Sequence, residues 1–426
     1  MDSSSIRLTY AALVCLDLAW GTVLTLLNYR RVMARSGRLP AALLGQVSDE
    51  EHRKASRYSL ARMRLGFVSG PVVTLLMLAA VLSGFFGLLD HTIAGAIHGE
   101  YLRGAAFMGA FALLLALLSL PFSLYSTFVL EKRFGFNTTK PLTWLLDALK
   151  GAALSIVLGL PLLLLLFLFM DGTGRLWWLW AFALFTVVDV IISLLYPLVI
   201  APLFNKFSPL PEGSLSERIR GMADRLGFRM SGIFVMDGSR RSRHSNAYFT
   251  GFGRLKRVVL FDTLVSQMSE EEILAVLAHE IGHEKKRHVI KGMILSTLLS
   301  LLGFWLLSLV QSWGPVYPAF GFTAPSKEAL LLIVSLASGP CTFFLTPLFS
   351  AWSRRHEYEA DRFSAAAAGA KEMGSALVKL NRENASNLTP HPLYSFWYYS
   401  HPTVLERLSA IGWSAKDGGD RPGDVS

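Results

Sequence analysis

The sequence predicts a mostly α-helical, polytopic membrane protein of seven transmembrane helices, with a soluble insert that carries a small β-sheet. Three observations predict this class. Hydrophobic residues make up 52% of the 426 and charged residues only 17%, where soluble domains carry roughly 25% charged. Seven stretches reach the about 20 apolar residues that a helix needs to cross a bilayer. Lys and Arg also alternate in density between consecutive short loops, the pattern that orients spans.

The expected spans are 7–28, 66–89, 104–130, 151–170, 176–201, 289–312 and 328–352, and residues 160–166, Leu-Pro-Leu-Leu-Leu-Leu-Leu, mark the clearest of them. Pro121 and Pro197 fall inside spans, where neighbouring helices can re-satisfy the freed backbone groups. The first apolar run, Leu8 to Leu27, is too long for the core of a signal peptide, and Met1 to Ile6 carries no positive charge. It therefore reads as a retained span.

Nine basic residues lie between spans one and two, from Arg30 to Arg64, whereas loop 90–103 holds only Arg103. Lys132, Arg133, Lys140 and Lys150 follow span three, Arg175 alone follows span four, and Lys327 alone separates spans six and seven. This alternation places the N-terminus outside and the catalytic side in the cytoplasm, of a bacterial inner membrane or of the endoplasmic reticulum. The net charge of +10 follows from the same flanking residues. No compact basic domain accompanies it, so the expected partner is the lipid bilayer and no nucleic acid. Cys15 and Cys341 both lie in apolar stretches, which excludes a disulfide framework and a cysteine metal cluster.

The expected organisation is a five-span region 1–202, a cytoplasmic insert 203–288, spans six and seven in 289–352, a second catalytic segment 353–412, and a disordered tail 413–426. Within the insert, Leu215 to Leu226 has helical periodicity, and Gly232–Met236, Asn246–Phe249 and Arg257–Phe261 read as short strands. Ser269 followed by Glu272 is a capping box that starts a helix at Glu270. Asp17 and Asp189 fall inside spans, where a carboxylate faces either a polar chamber or a partner that fixes helix packing.

The capped helix carries His279-Glu280-Ile281-Gly282-His283. Its spacing puts two imidazoles one turn apart on one face, as two ligands of a single zinc ion require, with Glu280 beside them as a base for water. A catalytic zinc wants a third protein ligand and an open position. His356, Glu357 and Glu359 all qualify by chemistry, emerging directly after span seven on the same side as the pentapeptide. Glu357 and Asp361 stand one turn apart, so one can bind metal while the other orients a ligand histidine.

These two segments and the span count together resemble the type I CAAX prenyl protease family, integral-membrane zinc metallopeptidases. Further likenesses are Glu131 to Asn137, Pro202 to Phe207, His244 to Phe249, Val258 to Leu264 and Tyr399 to Pro402, in the family's order over about residues 10–412. The resemblance implies that the seven helices enclose an intramembrane chamber and that each chain takes one Zn²⁺. It implies Glu357 as third ligand, Asp361 as its partner or a proton donor, and His401 across the metal supporting the oxyanion. Asn246 and Ala247 would pair with an extended peptide, and Arg407 would bind substrate or brace the site. The implied activity removes the C-terminal tripeptide of prenylated proteins, with quality control of misfolded or translocation-stalled membrane proteins as the alternative.

Overall fold

A computed structural model describes residues 1–251 and 256–413, so the expected disordered tail falls, from residue 414 on, outside the described residues. Long apolar sequences become long helices: α1 (Ser3–Arg35), α2 (Asp49–Leu82), α3 (Phe85–Ala96), α4 (Glu100–Tyr125), α5 (Pro141–Gly172) and α6 (Trp177–Leu195). A π-helical turn extends α4 through Ser126–Glu131, and another follows α6 at Tyr196–Ile200, where Pro197 removes a backbone donor. After the insert come α9 (His288–Gln311) and α10 (Lys327–Phe343).

The spans form a closed ring. Each of α1, α2, α4, α5, α6, α9 and α10 packs on the next, and α10 returns to α1. A ring leaves every helix with an outer face for lipid and an inner face towards the middle. That explains why only 0% to 17% of the residues in the apolar window of the six unbroken spans are buried. Ring architecture and an enclosed chamber thus agree. One end is plugged by an aromatic core of Phe86, Phe107, Phe167, Tyr317, Phe320 and Phe322.

Two expected spans need correction. The apolar run 66–89 is interrupted, because α2 stops at Leu82 and Gly84 takes the left-handed φ of +73° before α3 begins. The last span is also broken. Its helix α10 ends at Phe343 and α11 (Thr346–Ala368) leaves at a 64° bend. Pro347 starts α11 without needing a backbone partner, a position in which proline is favoured. The hydropathy of 328–352 shows no such corner.

Neither Asp17 nor Asp189 makes an ion pair among the described residues. Asp189 instead lines a cavity of about 270 Å³ with Leu163, Phe185 and Phe304.

The insert builds a four-stranded sheet from β1 (Phe207–Pro209), β2 (Gly232–Met236), β3 (Ala247–Thr250) and β4 (Arg257–Phe261), in the order β1-β2-β4-β3. Strands β2 and β4 are parallel and the other pairs antiparallel, which leaves β3 as an edge. Helices α7 (Ser214–Arg225), α8 (Glu270–Lys285) and α12 (Ala370–Glu383) cover the sheet around Val258, Leu260, Ile273, Leu277 and Leu377. β1 has only three residues and ends in proline, too little for period-two alternation to reveal. The chain finishes with α13 (Pro392–Tyr398) and α14 (Val404–Ala410).

Candidate metal centre

Helix α8 begins where its sequence says it should. Ser269 Oγ accepts from the Glu272 backbone N–H, and Glu272 accepts in return from the Ser269 N–H at 2.9 Å. Glu272 also accepts from Ser375 Oγ at 2.7 Å and Lys379 Nζ at 2.9 Å, tying the start of α8 to α12. Burial opposes its charge, but these donors hold its carboxyl below the usual glutamate range.

Helix α11 lies directly along α8. Buried Ser364 donates to the Ala275 carbonyl at 2.6 Å. At Gly282 the helices come so close that a Cβ there would stand 3.1 Å from both Ala360 Cα and Phe363 Cβ. This close approach brings the face bearing His279 and His283 against the face bearing Glu357 and Asp361.

The three expected ligands meet. His279 Nε2 and His283 Nε2 are 3.2 Å apart, Glu357 Oε2 is 3.5 Å from the first, and Glu357 Oε1 is 3.2 Å from the second. A tetrahedral ion with bonds of about 2.0–2.1 Å separates neighbouring ligand atoms by about 3.3–3.4 Å, so this triangle has the size of one metal's coordination edge. Glu357 Oε2 is buried and accepts no hydrogen bond of good geometry, although His401 Nδ1 stands 2.7 Å away. A buried carboxylate grouped this closely with two imidazole nitrogens fits a cation.

The local field agrees. Burial works against charge on His279, yet the hydrogen bonds to Asp361 and Glu357 outweigh it and raise the imidazole to about 9. Positive charge is favoured at this point. Burial likewise opposes the charge of Glu357, but three surrounding imidazoles overcome it and push its carboxyl far below the usual range.

Each imidazole is held from behind. His279 Nδ1 donates to Asp361 Oδ1 at 2.9 Å, which leaves Nε2 as the nitrogen facing the centre. Asp361 is fully buried and gripped by the Arg407 fork, with contacts of 2.8 and 2.6 Å. Burial raises that carboxyl, but the contacts to Arg407 and His279 together outweigh it and hold it below the usual aspartate range. Arg407 therefore spends its fork on Asp361, and Asp361 sits behind His279, away from the cleft.

His283 is backed by a residue that sequence reasoning missed. Its Nδ1 lies 3.0 Å from His288 Nδ1, and His288 Nε2 lies 3.2 Å from Glu359 Oε2. His356 stacks on His288 at 4.0 Å. Of the three candidate third ligands, Glu357 alone joins the triangle, while His356 and Glu359 brace His288. The chain reaches this arrangement by reversing at Arg287, whose φ is +57°. Four residues lie between His283 and His288, and the turn between α8 and α9 puts the two in contact.

In front of the triangle, Glu280, Asn246, Ala247, His401 and Arg407 line a cleft of about 140 Å³. Burial pushes the Glu280 carboxyl above its usual range. His401 stands at the rim with 64% of its side chain exposed. Asn246 directly precedes the edge strand β3.

Residues 28–206 match the family model described as CAAX prenyl protease N-terminal, five membrane helices, and residues 209–413 match peptidase family M48. The CAAX prenyl protease 1 homolog of Arabidopsis thaliana is 38% identical across 94% of this chain and 95% of its own length.

The chain belongs to the CAAX prenyl protease 1 family of M48 peptidases.

Relatives extend across eukaryotes. CAAX prenyl protease 1 of Saccharomyces cerevisiae is 36% identical over 91% of both chains, and the Homo sapiens homolog is 34% identical over 92% of both. The crystal structure of S. mikatae Ste24p superposes with a TM-score of 0.89 at 33% identity, covering 96% of this chain and 99% of that one. The present chain is thus an integral-membrane metalloendopeptidase.

Proposed function

We propose that this chain is a zinc endopeptidase that removes the C-terminal tripeptide from prenylated CAAX proteins, with His279, His283 and Glu357 as the ligands of one zinc ion. Convergence of those three side chains beside Glu280 carries the chemistry, and the names of the relatives supply the substrate class. We divide the chain accordingly into membrane region 1–202, insert 203–288, spans six and seven, and catalytic segment 353–412.

Two imidazoles and one carboxylate are the donor set of a catalytic zinc site that keeps one position open. When bound, zinc polarises a scissile carbonyl and brings the pKa of a water to about 7. Glu280 takes the proton from the attacking water and delivers it to the leaving amine, a role suited to a carboxyl whose burial raises its proton affinity. Asp361, through its bond to His279 Nδ1, orients a ligand and does not reach the peptide. Arg407 neutralises Asp361, and His401 steadies the oxyanion from the rim. The free edge of β3, entered at Asn246 and Ala247, pairs with the substrate backbone.

The basic residues of the odd-numbered connections support a cytoplasmic position for this cleft. The test is hydrolysis of a farnesylated CAAX peptide by purified protein in detergent, beside its unprenylated twin, with and without a chelator. Release of the tripeptide that stops with chelator and returns with zinc is expected. Chelator-insensitive cleavage, or no cleavage of either peptide, overturns the proposal.

A further inference from the structure

A second and larger cavity, of about 570 Å³, adjoins the metal centre. It lies within the roughly 300–1,000 Å³ range of ligand pockets. Asn28, Tyr58, Arg62, Asn384, Tyr399 and His401 are among its walls, which come from α1, α2 and the segments around α13. His401 also lines the cleft in front of the metal ligands, so the two spaces meet at that imidazole.

Charge sets this groove apart. No aspartate or glutamate lines it among the described residues, and Arg62 is its one permanently charged side chain. Arg62 is exposed on α2, with its guanidinium carbon 5.6 Å from the centre of the Tyr58 ring. Tyr58 is itself fixed by donating to Glu131 at 2.6 Å. The result is a braced cation, within electrostatic reach of Glu131, facing an open, polar space that no carboxylate lines.

The edge strand leads towards it. Asn384, another wall of the groove, accepts from the Ser245 backbone N–H at 3.0 Å and donates to the Ser245 carbonyl at 3.2 Å. His244 stacks on Phe136 at 4.3 Å just beyond. The chain entering β3 is thereby anchored at the groove's wall. A peptide paired antiparallel to Ala247–Thr250 runs with its C-terminus towards Asn246 and Ser245, and so towards Arg62.

We propose that this groove is the subsite for the leaving tripeptide, and that Arg62 binds the free α-carboxylate at the substrate's C-terminus. The inference rests on the tripeptide-releasing reading above. An enzyme that counts three residues from a chain end needs a contact with that end, about 10 Å of extended chain from the scissile bond. A guanidinium recognises a carboxylate through a planar, two-point contact that a lysine or an amide cannot reproduce.

The experiment compares two farnesylated CAAX peptides, one ending in a free carboxylate and one in a carboxamide, with wild-type protein, Arg62→Gln and Arg62→Lys. Metal content and thermal midpoint are measured on each to confirm folding. Wild type is expected to prefer the acid by about ten- to hundredfold in kcat/KM, the range of a charge-assisted contact. In Arg62→Gln that preference should collapse towards one, and Arg62→Lys should recover part of it. An acid-to-amide ratio that is the same in wild type and Arg62→Gln overturns the inference, as does a wild type with no preference for the acid. Wild type that cleaves neither peptide overturns the tripeptide-releasing reading itself, so the two failures are distinguishable.

Discussion

Replacing Gly282 by alanine should weaken metal binding although no ligand residue is changed. The added Cβ would stand 3.1 Å from Ala360 Cα and Phe363 Cβ and 3.2 Å from Phe363 Cδ1. Carbon atoms prefer about 3.5–4.0 Å, so α8 and α11 must separate by roughly 0.4 Å or more at this level. Ala360 lies between Glu357 and Asp361 on α11, and Gly282 immediately precedes His283 on α8. The shift therefore falls on the triangle of His279, His283 and Glu357 proposed to hold the ion. Metal sites tolerate only about ±0.2 Å in their ligand distances, so the displacement exceeds what the site can absorb without strain. Metal affinity should fall about ten- to hundredfold, as it does when outer contacts of a site are disturbed. Overpacking should cost about 1–3 kcal/mol of stability. Competition against a chromophoric chelator measures the affinity, and thermal unfolding in detergent measures the second cost. Wild-type affinity in the folded variant would refute the claim that the helix–helix approach at Gly282 sets the ligand geometry.

Four further perturbations probe the same centre. Glu280→Gln should retain the metal and lose about 10²- to 10⁴-fold in turnover, the usual contribution of a positioned base, as read by stopped assays at matched metal content. His288→Phe should lower metal affinity about tenfold or more by leaving His283 Nδ1 without its partner; the same chelator competition checks it, and unchanged affinity would show His288 to be only a packing residue. Arg407→Gln should destabilise the fold by about 3–5 kcal/mol, because it strands the buried Asp361 carboxylate, and a denaturant titration measures that loss. Glu272 has a depressed pKa, so its stabilising contribution is complete above the ordinary glutamate range and disappears as pH falls through the lowered value. Wild type should lose thermal stability on acidification below about pH 4.3 more steeply than Glu272→Gln does.

The parts legible in the sequence are those whose signal is local. The capping box at Ser269, the strands at Gly232–Met236 and Arg257–Phe261, and the ligand face of α8 each depend on residues within one or two turns of one another. Span identity was legible for the same reason, since hydropathy accumulates along a single helix. Corners were not. The break at Gly84 and the bend before Pro347 interrupt apolar runs that read as continuous. The edge strand was expected at Asn246–Phe249 and occurs one residue later, at Ala247–Thr250, a shift that leaves Asn246 at its mouth.

Within the site, spacing allowed three candidates for the third ligand, and family resemblance favoured Glu357. Only the packing of α11 on α8 shows why His356 and Glu359 turn instead to His288. His288 carries no motif of its own, because its contact with His283 is made by a left-handed turn at Arg287. Arg407 was expected to bind substrate or brace the site, and its fork is taken by Asp361. Arg62 reads in sequence as one more of the basic residues that orient a span. Its place in a groove beside His401 that no carboxylate lines is visible only once α2 and the 381–404 segment are packed together.

The most direct measurement is anomalous diffraction at the zinc absorption edge from crystals of the metal-loaded protein. One peak should stand about 2.0–2.2 Å from His279 Nε2, His283 Nε2 and a Glu357 carboxylate oxygen, with Glu280 beside it and not bonded to it. A zinc peak elsewhere in the chain, or one bound by the two histidines with Glu357 turned away, would contradict the account.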